Sequence, residues 1–128
     1  MKFIVTADGF LQIGARPVQC ALGRGGVTPA DAKREGDGAT PAGIFPLVSA
    51  FYRPDRPPPP KTGLPLTALT PAQGWVDAPA DPNYNRLVAL PYPASHEELW
   101  RDDGLYDVIV VIGYHTDPVV PGAGSAIF

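Results

Sequence analysis

The sequence has little that could support redox or metal chemistry, since its 128 residues include one cysteine, Cys20, and two histidines. A single cysteine cannot close a disulfide within the chain or build a multi-cysteine metal site. No carboxylate or second histidine stands at metal-ligand spacing, so the pattern indicates no metal site and no cofactor. Cys20 lies in a strand-like run, which is typical of a small core residue rather than of a nucleophile.

The sequence is also poor in charge and has no long apolar run. Charged residues make up 18% and the net charge is −3, which argues against a nucleic-acid surface, because such a surface needs basic residues to neutralise phosphates. No window approaches the roughly 20 apolar residues of a membrane span. Asp8 and Gly9 interrupt the N-terminal apolar stretch. It therefore does not match a signal peptide, and the chain would be cytoplasmic if complete.

Proline and glycine, by contrast, are abundant, with 17 and 14 residues. This density shortens every regular element and favours strands joined by turns. The proline run 57–60 is expected to be an extended surface stretch, since strand patterns resume on both sides of it. With 45% hydrophobic residues, the composition predicts one mostly β domain over residues 1–128.

The N-terminal third carries a strong hairpin signal. Asp8-Gly9 separates two apolar runs at residues 3–6 and 10–13, and both turn residues tolerate positive φ. Residues 18–22 are predicted to form a third strand. Residues 23–43, rich in Gly, Asp, Thr and Pro, are predicted to be a long loop.

The remaining patterns predict further strands and one short helix. Residues 44–52 are strand-like, and the sequence SHEE at 95–98 matches a capping box that would begin a helix ending at Gly104. The β-branched run 108–112 predicts a central strand buried on both faces, and residues 124–128 begin another strand. The residues expected in the core are Ile4, Ile13, Phe45, Leu47, Leu87, Trp100, Val108, Val110 and Ile112.

Several unusual blocks follow one another in a fixed order: REGDGATPAGIF at 34–45, GWVD at 74–77, YNRLV at 84–88, LWRDD at 99–103, YDV at 106–108 and GAGSAIF at 122–128. From about Cys20 to the end they resemble the L,D-transpeptidase (YkuD-like) catalytic domain family. The resemblance implies a mostly β, β-sandwich-type domain with one or two short helices. The branch usually has asparagine at the position of His115 and cysteine at that of Val76.

The resemblance also implies a reaction. In this family a cysteine thiolate, activated by a histidine, attacks a diaminopimelate carbonyl of a tetrapeptide stem and D-alanine leaves. It implies a peptidoglycan stem peptide as partner and a periplasmic or cell-wall location. The family histidine and cysteine follow the GSAIF block, and neither Cys20 nor His115 matches them. We therefore expect a C-terminally truncated domain with no catalytic residue and no transpeptidase activity of its own.

The resemblance places the strand leading to the family histidine beside the substrate. The residues expected along one wall of the groove are Tyr114, His115, Gly124 and Ser125. Because guanidinium groups bind carboxylates bidentately, the candidate partners of a stem-peptide carboxylate are Arg86, Arg101 and Arg53. Pairing of these arginines with Asp77, Asp102 or Asp103 is the alternative.

Three hypotheses remain open from the sequence. The first is a truncated piece of an active-type L,D-transpeptidase, and the second is a non-catalytic cell-wall peptide-binding or scaffold module. The third is an unrelated small β-hydrolase that uses Cys20 and a histidine. Truncation would leave an unpaired strand edge, which predicts self-association through that edge.

Overall fold

The computed structural model describes residues 1–56 and 58–128, so Pro57, the first residue of the proline run, lies outside it. The described residues form eleven short β-strands and no helix. The prediction of a mostly β chain is confirmed, and the prediction of one or two short helices is wrong. The chain divides into two compact units, Met1–Gly43 and Ile44–Phe128, which are described separately below.

The first unit contains two small sheets. One is antiparallel in the order β1-β2-β3, and the other is a parallel pair, β4-β5. The strand bounds are β1 Ile4–Thr6, β2 Phe10–Ile13, β3 Arg16–Gln19, β4 Val27–Pro29 and β5 Thr40–Ala42. The long loop predicted for residues 23–43 therefore includes two strands, because β4 pairs with a segment too distant in sequence for local turn signals to reveal.

The predicted hairpin is confirmed. Thr6 pairs with Phe10, and Gly9 closes the turn with φ 86° while its N–H donates to the Thr6 carbonyl at 3.0 Å. Ile4 and Ile13 are each 49% exposed, so their predicted burial is wrong. Alternation shows which residues share a face of a sheet, but it does not show whether another layer covers that face.

A buried lysine organises the REGDGATPAG block. Lys33 is 4% exposed, and its Nζ donates to Asp37 Oδ1 at 2.5 Å and to the Arg34 carbonyl at 2.9 Å. The Asp37 carboxylate also accepts the N–H groups of Arg34 and Ala39 at 2.8 and 2.9 Å. The hydrogen bond from Lys33, followed by those two backbone bonds, lowers the pKa of Asp37 to about 2. This block is therefore a tightly bonded turn.

The second unit contains two three-stranded sheets, ordered β11-β6-β7 and β10-β8-β9. In the first, β6 pairs antiparallel with β11 and parallel with β7; in the second, both pairings of β8 are antiparallel. The strand bounds are β6 Leu47–Tyr52, β7 Leu66–Ala68, β8 Gln73–Val76, β9 Leu87–Ala89, β10 His96–Glu98 and β11 Val108–Ile112.

Both sheets contribute side chains to one hydrophobic core. The buried members of that core are Phe51, Leu69, Trp75, Leu99, Ile109 and Val111. Of the other residues predicted to be buried, Leu47 is 40% exposed, whereas Leu87 and Trp100 are partly buried against this core.

Strand β11 corrects the prediction of a central strand buried on both faces. It lies at one end of its sheet, and its burial alternates: Ile109 and Val111 are 2% and 4% exposed, whereas Val108 is 48% exposed. In a run of β-branched residues the side chains on both faces of the strand are apolar, so the sequence could not decide which residues point inward. Residues 124–128 do not form the predicted strand, although the Ile127 carbonyl accepts the Ile112 N–H at 3.1 Å.

The segment predicted to begin a helix forms β10 instead. His96 to Glu98 pairs antiparallel with Val76 to Gly74, and the Ser95 carbonyl accepts the Asp77 N–H at 3.1 Å. A capping box stabilises only the first turn, and short helices depend on tertiary packing of an apolar face. Here the edge of β8 offers that backbone antiparallel hydrogen-bonding partners, and the strand forms.

Candidate functional site

The second unit carries an open cavity of about 350 Å³, which we call the groove. It draws residues from strands β6, β8, β9 and β11 and from the segments beside them. Its lining is Val48, Ser49, Trp75, Asn85, Arg86, Leu87, Val111 and Thr116. Half of these eight residues are apolar and half are polar or charged, and in ligand sites such polar groups orient the ligand.

Asn85, which lines the groove, occupies a left-handed backbone conformation with φ 55°. Asparagine tolerates this region better than other non-glycine residues. Its side chain is 5% exposed, and its Oδ1 accepts the Trp75 indole N–H at 2.9 Å and the Ala126 N–H at 3.2 Å. Asn85 therefore links strand β8 to the GSAIF block.

Two tyrosines form hydrogen bonds with the backbone of the two residues that precede Ser125. Tyr84 is 1% exposed, and its hydroxyl accepts the Gly124 N–H at 2.9 Å. The Tyr114 hydroxyl donates to the Ala123 carbonyl at 2.9 Å. Buried hydroxyls that meet backbone groups in this way fix the local chain path, because leaving either partner unsatisfied is costly.

His115 binds the backbone at Gly124 and at Val120 through its two ring nitrogens. Its Nε2 contacts the Gly124 carbonyl, and its Nδ1 accepts the Val120 N–H at 3.2 Å. The ring stacks on Tyr84 with centroids 6.2 Å apart and meets Tyr114 edge-on at 4.6 Å. This pattern requires the neutral imidazole with its hydrogen on Nε2, since a carbonyl needs a donor and an N–H needs an acceptor.

The end of the GSAIF block is anchored in the core. The Phe128 ring lies edge-on to Trp75 and to Tyr106, at centroid distances of 5.1 and 5.8 Å. The Tyr106 hydroxyl donates to Glu97 Oε2 at 2.6 Å. Burial, with the Glu97 carboxylate second, raises the pKa of Tyr106. Trp75 thus contacts both the groove and the aromatic cluster behind it.

The three candidate arginines differ in whether a carboxylate already pairs with them. Arg101 forms an ion pair with Asp103, as the alternative hypothesis allowed. Arg53 is 3% exposed, pairs with Asp55 and stacks on the Trp100 ring at 3.8 Å. In the described part of the second unit, Arg86 is the arginine that forms no ion pair with a carboxylate, and it is exposed at the groove.

A family model of the L,D-transpeptidase catalytic domain (YkuD) matches residues 3–124. This match covers nearly all of the chain. The chain belongs to this family. The resemblance found from Cys20 onward is therefore confirmed, and the family match begins earlier, at residue 3. The searches of the curated proteins and of the solved structures found no match to the chain.

Family membership carries a general function. L,D-transpeptidases are acyltransferases that act on peptidoglycan, and the family is typically periplasmic or cell-wall associated. Within residues 1–56 and 58–128 there is no helix with the length and apolar character needed to cross a bilayer.

Among the residues predicted from the L,D-transpeptidase resemblance, the structure brings Tyr114, His115 and Gly124 together and leaves Arg101 with Asp103. Ser125 is partly buried between Gly124 and Ala126, whose N–H groups are both bonded to side chains.

The prediction missed Tyr84 and Asn85 as site residues. Their block belongs to the family resemblance, but their hydrogen-bond partners lie 40 and 41 residues further along the chain. No local sequence pattern indicates such contacts. The one available signal was an asparagine next to an arginine directly before the apolar run that forms β9.

Cys20, the single cysteine, belongs to the first unit. It is partly buried, and its N–H donates to the Gly9 carbonyl at 2.8 Å, just beyond the ends of β2 and β3. The unit that contains the groove, residues 44–128, has no cysteine in its sequence.

Proposed function

We propose that this chain supplies the stem-peptide groove of a peptidoglycan L,D-transpeptidase, with Arg86 as the residue that binds a substrate carboxylate. The observation that carries the proposal is a guanidinium that lines the groove without an ion pair among the described residues. Stem peptides contain free carboxylates, and arginine binds them with two parallel charge-assisted hydrogen bonds. The apolar lining from Val48, Leu87 and Val111 suits the aliphatic diaminopimelate chain.

A second part of the proposal is that Tyr114, His115, Gly124 and Ser125, which are not among the lining residues of the cavity, hold its wall at Thr116. Its support is the set of side-chain bonds that hold residues 123–126, together with Thr116, which follows His115 and lines the groove. Rigid support of this kind matters because binding residues must be held close to their productive geometry. Arg101 and Arg53 are not part of this proposal, since Asp103 and Asp55 already occupy their guanidinium groups.

We also propose that these 128 residues bind the stem peptide without turning it over. Acyl transfer in this family needs a cysteine thiolate, a base to generate it and oxyanion donors beside both. The support is that the groove-bearing unit has no cysteine, and that Cys20, the single cysteine, belongs to the other unit. A non-catalytic binding module would behave in the same way in this chain, so the experiment must separate the two.

The binding test compares Arg86→Gln with Arg101→Gln, its matched control in the same unit. The ligand is a tetrapeptide ending in meso-diaminopimelate and D-alanine, with affinity measured by calorimetry. Loss of a charge-assisted pair costs about 1.5–3 kcal/mol, which is about a tenfold to hundredfold loss of affinity. Arg86→Gln should show that loss and Arg101→Gln should not. Equal effects in both variants would contradict the role of Arg86.

The activity test measures D-alanine release from the same peptide. We expect none from the 128 residues. Release after a family-type histidine and cysteine segment is appended would support the transpeptidase, and its continued absence would support a binding module. Release by the unextended chain that disappears in Cys20→Ala would instead support the unrelated β-hydrolase.

A further inference from the structure

Residues 116–123 form a loop, and the His115 side chain binds the backbone both in the middle of this loop and directly after it. His115, directly before the loop, contacts the Gly124 carbonyl after it through Nε2. Its Nδ1 accepts the N–H of Val120, in the middle of the loop, at 3.2 Å. Within the loop, Thr116 forms a β-bridge with Val119. The bridge places Thr116, which lines the groove, next to the part of the loop that His115 holds.

The ring of His115 has little freedom to change partners. Its backbone φ is 39°, and Tyr84 and Tyr114 contact the ring from two sides. Both tyrosines also bond to the loop's end at Ala123 and Gly124. The histidine is therefore held in one orientation, in which Nε2 meets an acceptor and Nδ1 meets a donor.

Only the neutral imidazole fits this arrangement. A second proton would be added at Nδ1, where it would face the Val120 N–H, and that hydrogen bond would be lost. The bond from Nε2 to Gly124 would persist, because a charged donor still suits a carbonyl. The titratable side chains that contact the ring are the phenols of Tyr84 and Tyr114, and Asp117 is the one charged residue in the loop sequence.

We propose that neutral His115 is a positioning residue for the groove. It holds the loop at Val120 and so fixes Thr116 at the groove edge. Its protonation releases the loop at Val120, while Gly124 stays bound. The effect on ligand binding rests on the proposed function of the groove as a stem-peptide site. The effect on the loop itself does not depend on that function.

The first measurement follows the amide resonances of Val120 and Gly124 by NMR from pH 8 to pH 5, without ligand. The variants are His115→Asn, which tolerates positive φ but does not titrate, and His96→Gln, which removes the only other histidine. We expect the Val120 amide to titrate in the unmodified chain and in His96→Gln, and not in His115→Asn. A Val120 amide that does not respond in the unmodified chain would overturn the proposal.

The second measurement is the affinity for the same diaminopimelate tetrapeptide at pH 7.5 and pH 5. Loss of one hydrogen bond at the groove edge predicts about a fivefold weaker affinity at pH 5 in the unmodified chain and in His96→Gln. His115→Asn should show the weaker affinity at both pH values, so titration of the peptide itself is controlled.

The two ideas fail in different ways. If the peptide does not bind at any pH, the proposed function fails and the Val120 titration alone decides the role of His115. If the peptide binds and His115→Asn keeps the pH dependence of the unmodified chain, the positioning role is refuted.

Discussion

Asn85→Ala is the substitution that tests most directly how the groove is held together. The side-chain Oδ1 of Asn85 serves two donors, the Trp75 indole N–H at 2.9 Å and the Ala126 N–H at 3.2 Å, in a site where Asn85 is 5% exposed. Alanine removes the acceptor and leaves both donors without a partner. It also places a Cβ-bearing residue without a local hydrogen-bonding group at φ 55°.

The expected cost can be worked from these three effects. A buried indole N–H left unsatisfied costs about 2 kcal/mol, and the longer, partly buried Ala126 bond contributes about 1 kcal/mol. Alanine in the left-handed region adds about 1 kcal/mol. The sum, about 4 kcal/mol, is a large share of the 5–15 kcal/mol that typically stabilises a domain. Asn85→Gly should cost about 3 kcal/mol, because glycine relieves the backbone strain only.

The assay is urea unfolding followed by tryptophan fluorescence, which reports on the second unit because both tryptophans, Trp75 and Trp100, belong to it. A double-mutant cycle with Trp75→Phe isolates the indole bond: in that background, Asn85→Ala should cost about 2 kcal/mol less. Costs below about 1 kcal/mol for both Asn85 variants, or additivity with Trp75→Phe, would refute the assigned role of Asn85.

Two further predictions concern the first unit. Asp37 has its pKa lowered from 3.8 to about 2, so its contribution to stability is fully present above pH 3.8 and is lost as the pH falls through 2. Acid unfolding followed by hydrogen exchange in residues 33–39 should show this step, and Asp37→Asn should abolish it; an unchanged acid transition in that variant would contradict the assignment. Gly23→Ala would place a Cβ 2.2 Å from the Gly38 carbonyl oxygen, a backbone atom, and should destabilise this unit by about 1–3 kcal/mol. Gly63→Ala in the second unit, whose Cβ meets nothing within 4 Å, is the control for a glycine-to-alanine change in thermal unfolding, and an unchanged stability of the first unit in Gly23→Ala would show that the contact yields without cost.

The features that the sequence predicted correctly depend on short-range chemistry. The hairpin of β1 and β2 followed from Asp8-Gly9 between two apolar runs, and the pairing of Thr6 with Phe10 confirms it. The mostly β character followed from the density of proline and glycine. The capping box at 95–98 is also short-range, but its prediction was wrong, since strand pairing with β8 decided the outcome.

The residues proposed for the candidate site came from two arguments and stay predictions. Tyr114, His115 and Gly124 came from the family resemblance, and Arg86 came from the ability of guanidinium groups to bind a carboxylate. Which arginine remains without an ion pair was not predictable, because the choice depends on which carboxylates the folded chain brings near each one. The substitution of histidine at position 115 carried no signal of its bond to Val120.

By itself, the sequence determined the family, because the blocks can be compared in their order along the chain. It also determined the strand-rich architecture, because turn residues act on their immediate neighbours. Only the tertiary structure decided that Ile109 and Val111 face the core while Val108 does not. It also decided that Asn85 meets Ala126 across 41 positions of the chain. Both outcomes depend on which element packs against which, and that is settled by burial and hydrogen bonding between distant segments rather than by any local pattern.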